Sequence, residues 1–195
     1  LSLCNKNFQN INNDDSNNAK HNLLLDVCLA AKHEGDSIRD YYPKYEVQYA
    51  SSGSGSTMCT MLARSFADIG DIIRGRDLYS GNKKEKKQRE QLDDKLKDIF
   101  KQIHSGLSKE KRSHYNGDAD KNYSKLREDW WELNRQQVWK AMTCDAPHDA
   151  QYFRGTCGSG NNARRAPSHC RCENKLGEPE DQVPTYFDYV PQFLR

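Results

Sequence analysis

The residues of this 195-residue chain whose types could do chemistry crowd toward its C-terminal third: His148, Cys157, and the run His169, Cys170, Arg171, Cys172. Imidazoles and thiolates in such company invite a zinc reading. Zinc takes four of them in a tetrahedral array, usually from paired CxxC or HxxxH knuckles. Here the only close pair is CxC, and Cys4, Cys28 and Cys59 would be left outside the set, so no metal is expected. No nucleophile elbow, phosphate-cradling glycine loop or HExxH pair is present. The glycine-containing run 157–161 follows no clear strand and leads into no clear helix. The carboxylate pairs Asp93 with Asp94 and Glu128 with Asp129 fall on charged helix faces, where solvation is the simplest account. The chain reads as non-enzymatic and without a cofactor.

A second group carries charge rather than reactivity. Lys83, Lys84, Lys86, Lys87 and Arg89 are followed by Lys109, Lys111 and Arg112, and residues 83–112 hold 11 Lys and Arg against 6 Asp and Glu. That local net charge of +5, in a chain of net +2, leaves −3 for the remainder. A solvated helix face accounts for such a run. The functional reading is a polyanion site, where clustered cations gain from counterion release and long-range attraction. Arg164, Arg165 and Arg171 would extend it, since a planar guanidinium matches sulfate. The lysines begin where a helix would start, a position at which they oppose the macrodipole.

The seven cysteines, Cys4, Cys28, Cys59, Cys144, Cys157, Cys170 and Cys172, are all disulfide candidates. Disulfides imply an oxidising compartment, which turns the expected polyanion from nucleic acid to sulfated glycan. An odd count leaves one thiol free or paired outside the sequence, and a start at Leu1 without an initiator Met suggests a fragment. Only 35% of residues are hydrophobic, 30% are charged and the mean hydropathy is −1.05, so disulfides would supply part of the missing stabilisation. No apolar run reaches the roughly 18 residues a membrane span needs, and no signal-peptide pattern is present.

The elements that must position these groups read as helices. Met58, Leu62, Phe66, Ile69 and Ile73 recur at the helical period within 57–79, predicting a core helix with Gly75 as its stop and Arg64, Asp68, Asp71, Arg74 and Arg76 on its exposed side. Leu92, Leu96, Ile99 or Phe100, and Ile103 predict a second amphipathic helix. In 122–142, Tyr123, Leu126, Trp130 and Leu133 form one stripe and Trp131, Val138 and Met142 another, as for a helix between neighbours, with both tryptophans in the core. A short helix is expected over 22–32, with Leu24, Val27, Cys28 and Ala31 inward. The polar tract 1–20, the SSGSGS connection 51–56 and the aromatic, Pro-interrupted 41–49 read as loops. The division is thus 1–56, loop-rich with one short helix; 57–143, helical core; and 144–195, cysteine-rich loops and an aromatic tail, extended or helical between Pro184 and Pro191.

Four contiguous blocks go further: TMCTMLARSFADIGDIIRGRDLY at 57–79, REDWW at 127–131, NRQQVWKAMTC at 134–144 and VPTYFDYVPQFLR at 183–195. With them the chain closely resembles, over nearly its whole length, a Duffy-binding-like domain of the alpha class. Such domains sit in the head of the variant surface antigen Plasmodium falciparum erythrocyte membrane protein 1. The resemblance implies a mainly α, disulfide-stapled helical bundle with long loops, present here in part. It implies adhesion without catalysis, display on the infected red-cell surface, and neighbouring domains of the same antigen. The host partners it implies are heparan-sulfate-like glycans, complement receptor one and blood-group sugars, with rosetting as the outcome. The recognisable blocks look like scaffold, so no receptor contact carries over from them. The rival readings are a scaffold presenting variable loops with no ligand of its own and, more remotely, a zinc-stabilised intracellular module.

Overall fold

The computed structural model describes residues 19–49, 57–78, 81–160, 163–174, 176–178, 180 and 182–195. Cys4, the polar tract up to residue 18 and the 51–56 connection lie outside them. Helices α1 (Ala19–Tyr49), α2 (Met58–Arg74), α3 (Lys83–Gly106), α4 (Lys109–Ser113) and α5 (Ser124–Met142) are followed by an antiparallel pair, β1 (Gly155–Cys157) and β2 (Arg164–Arg165). Short 3-10 turns at Phe187–Tyr189 and Gln192–Leu194 complete the tail between its prolines. The mainly α fold with disulfides is as the sequence implied.

Helix α2 is the centre of the packing. Thr57 caps its start by accepting from the Thr60 amide, and Gly75 ends it in the left-handed conformation at φ 70°, which costs a glycine little. All five residues of its apolar stripe are buried. Phe66 meets Trp131 and Trp139 of α5 with ring centroids 5.1 and 5.2 Å apart, while Phe100 of α3 meets Trp130 edge-on at 6.2 Å. Trp130 and Trp131 are therefore core residues, as expected, and Trp139 joins them.

The structure corrects the sequence reading at three points. The first helix is 31 residues long instead of short, running through Gly35 and past Pro43. Leu23, Val27, Ala30, Ala31 and Ile38 form its buried stripe, and Cys28 is only half-buried. Gly35 is a contact rather than a breaker: a Cβ there would lie 2.0 Å from the Met142 carbonyl oxygen, so the missing side chain lets α1 close on the end of α5. Leu133 projects into solvent from α5, away from both inward stripes. Asp71 and Arg74, assigned to the exposed side of α2, are buried.

Candidate functional site

The basic stretch occupies the first turns of α3. Asn82 caps this helix by accepting from the Lys84 and Glu85 amides, and Glu85 reaches back to the Asn82 amide, closing a capping box. The cap occupies these backbone donors, so an arriving anion would meet ammonium groups instead. Lys83, Lys84, Lys86 and Lys87 are all exposed, and none of their ammonium groups makes a hydrogen bond or ion pair among the described residues. Arg89 differs: it is half-buried and paired with Asp77 from the loop after α2. Gln192 of the tail also donates to Asp77, at 3.1 Å. Lys86 and Arg89 border a cleft of about 240 Å³ between the end of α2 and α3, whose floor includes Ile72, Leu92 and Leu96.

The remaining basic candidates lie on other elements. Lys109, Lys111 and Arg112 belong to α4, beyond the far end of α3, roughly 30 Å from Lys87 at 1.5 Å of helix rise per residue. Lys109 and Lys111 are exposed, whereas Arg112 donates to the Ser105 and Leu107 carbonyls at 2.6 and 3.0 Å and so closes the end of α3. In β2, Arg164 is held by Glu180 at 3.2 Å and by the Glu173 carbonyl at 2.8 Å, and Arg165 is exposed. Arg171 donates to Thr143 Oγ1 and the Lys140 carbonyl, capping α5.

The cysteines fall into two classes. Cys59 of α2 bonds Cys170, and Cys157 of β1 bonds Cys172, so all three cysteines of the candidate zinc set, Cys157, Cys170 and Cys172, are oxidised. Among the described residues Cys28 and Cys144, both disulfide candidates by sequence, are free thiols. Burial raises the Cys28 thiol above its ordinary value, and Cys144 is exposed on the turn after α5.

A buried polar cluster escaped the sequence reading altogether. Asp188, 1% exposed, accepts from Trp131 Nε1 at 2.9 Å and from Arg135 Nε and Nη2 at 2.8 Å each. Its backbone carbonyl accepts from Arg74, which also binds Asp71 at 2.9 Å. Arg195 then binds Asp68 at 3.0 Å and pairs with Asp71. Tyr186 and Tyr189 flank Arg135, with ring centroids 5.6 and 5.2 Å from its guanidinium carbon. Burial raises the Asp68 carboxyl despite Arg195, and lowers the Arg74 guanidinium despite Glu128 and Asp188. These groups fasten the tail to α2 and α5, and the shifts at Asp68 and Arg74 arise from burial. Alternation of aromatic and polar residues in VPTYFDYVPQFLR was the visible signal.

The model of the Duffy binding domain family matches residues 1–195. In a structural comparison, the chain is 43% identical to the NTS-DBL1(alpha-1) domain of Plasmodium falciparum membrane protein 1 (PfEMP1) from the varO strain, with a TM-score of 0.71. The match covers 98% of this chain and 39% of that one. The NTS-DBL1-alpha and CIDR-gamma double domain of the same strain gives 41% identity and a TM-score of 0.73, over 98% of this chain and 25% of that one. The ICAM-1-binding DBLbeta domain of a further PfEMP1 gives 33% and 0.65, over 99% and 39%. The chain thus spans less than half the length of these structures. A search of curated proteins found no significant match. No helix among the described residues is long and apolar enough to cross a membrane. On the family match over its full length and the identity to these solved domains, the chain belongs to the Duffy binding domain family, a family of adhesion-type domains.

Proposed function

We propose that this domain is a non-enzymatic host-adhesion module of a variant antigen at the infected red-cell surface, and that it meets an anionic host ligand through the start of α3. The observation that carries the reading is the state of Lys83, Lys84, Lys86 and Lys87: four exposed cations with no partner among the described residues, at the helix end where the macrodipole disfavours them. Such an arrangement contributes nothing to holding the helix together, and it suits a polyanion approaching from solvent. A sulfated glycan of the heparan-sulfate kind is the first candidate ligand. Complement receptor one and blood-group sugars are the others that the family resemblance brings. A DBLbeta domain 33% identical to this chain is described as ICAM-1-binding, which supports the receptor-binding class without fixing the receptor.

The test is retention of the disulfide-bonded domain on heparin across a salt series, for the native chain and for K83E/K84E/K86E/K87E. The expected result is salt-sensitive retention that the quadruple variant loses. Unchanged, salt-insensitive retention rejects this face. The engagement of Arg89, Arg112 and Arg164 by internal partners favours a second reading, a scaffold that presents variable loops. Absence of red-cell binding by the folded domain, with or without heparin, would select it.

A further inference from the structure

Once the cysteines are placed in disulfides, the histidines of the same sequence cluster are left together. His148 Nδ1 and His169 Nε2 are 3.2 Å apart, with ring planes at 59°. His169 Nδ1 donates to the Ala146 carbonyl at 2.6 Å, which fixes its proton there and leaves the Nε2 lone pair facing His148. A backbone carbonyl behind one ring nitrogen is the usual way a metal-binding imidazole is oriented. Two nitrogens on a tetrahedral ion at about 2.0–2.1 Å stand roughly 3.3 Å apart, so the pair has the required separation already.

The turn that carries His169 is built to hold this geometry. His169 and Cys170 both have positive φ, 48° and 54°, in a tight reversal closed by the Arg171 amide on the Ser168 carbonyl at 2.9 Å. The Cys170 amide donates to Ala150 at 2.9 Å, Trp139 Nε1 donates to the Cys170 carbonyl at 3.1 Å, and the Cys170 sulfur is bonded to α2. His148, in contrast, is exposed.

We propose that His148 and His169 form a two-imidazole surface site for a borderline divalent transition ion, of the Zn²⁺ or Ni²⁺ class, tying the turn after α5 to the 168–171 reversal. On coordination the His148 proton moves from Nδ1 to Nε2 through solvent, so two neutral imidazoles face the ion. Among the described residues no group of three or more His, Cys, Asp or Glu is placed to hold a metal, so water fills the other positions.

The experiment is calorimetric titration of the disulfide-bonded domain with Ni²⁺ and with Zn²⁺, in a Cys144→Ser background that removes the exposed thiol. One ion per chain is expected, with at least tenfold weaker binding in His148→Ala and in His169→Ala, and no change in His114→Ala. His148 is exposed, so its replacement tests the site without disturbing the fold, and metal-induced thermal stabilisation should vanish in that variant. An unchanged isotherm in His148→Ala overturns the proposal, as does binding that disappears with Cys144→Ser alone.

Discussion

The tail junction and the start of α3 use the same charged residue types to opposite ends. At the junction, Asp71, Arg74, Arg135, Asp188 and Arg195 are drawn out of water, and every carboxylate is met by a guanidinium or an indole. At the start of α3, four lysines stand in solvent with no counterpart among the described residues. Arginine serves the first because its planar fork satisfies several acceptors at once; lysine serves the second because its compact, hydrated charge remains available to a visitor. A composition that is 30% charged therefore divides into charge that fastens the fold and charge that faces outward.

Perturbing the fastening side should cost stability and perturbing the outward side should not. The largest effect is expected from removing the Cys59–Cys170 bridge. Its sequence separation is 111 residues, and a loop of about 100 residues corresponds to roughly 4.7 kcal/mol of lost constraint on the unfolded chain. The Cys157–Cys172 bridge, with a separation of 15, should be worth about 3 kcal/mol. Urea unfolding of the two double-alanine variants checks both values and their order. Asp188→Ala should fall in the range the two bridges span, at about 3–5 kcal/mol, because it strands Arg135 and the Trp131 indole in the interior. A loss under 1 kcal/mol there would erase the contrast between the two regions.

On the outward side, K83E/K84E/K86E/K87E should leave the thermal midpoint unchanged or slightly raised. Acidic residues in a first helical turn contribute on the order of 0.3–1 kcal/mol. A clear loss of stability would show that these lysines fasten the fold after all. The smallest effect sharpens the boundary between the regimes. Tyr115, at the edge of the domain, has its phenol pushed up to about 12, first by burial and then by its hydrogen bond to Asp129. The folded state thus favours the protonated phenol. Its contribution is complete below the ordinary value of 10 and is lost as pH rises toward 12. Ultraviolet titration should show several late-ionising tyrosines, of which the Tyr115 component moves down in Asp129→Asn.

The helices were legible wherever the apolar period ran unbroken. The limits of α2 and the inward residues of α3 could be read directly, because Thr57, Gly75 and the Leu92 to Ile103 stripe are local signals. The extent of α1 was hidden, since the Pro-interrupted stretch 41–49 read as a loop, whereas the helix runs on past Pro43 to Tyr49. The burial of Arg74 could not be read from α2 at all, because its partner Asp188 lies 114 residues away. The basic residues were legible as a list and not as a surface: only the fold separates the lysines of α3 from Arg112 and Arg164, whose donors are already engaged.

The Cys59–Cys170 bridge also closes a covalent ring that contains all of α3, α4 and α5. Hydrolysis of one peptide bond inside that ring, at the lysine-rich start of α3 for instance, opens it without releasing a piece. A protease attacking that exposed cationic stretch would leave a two-chain molecule of unchanged mass apart from one water. Only a reductant acting afterwards would let the halves part, so the domain's exposed face can be nicked while its scaffold stays in one body.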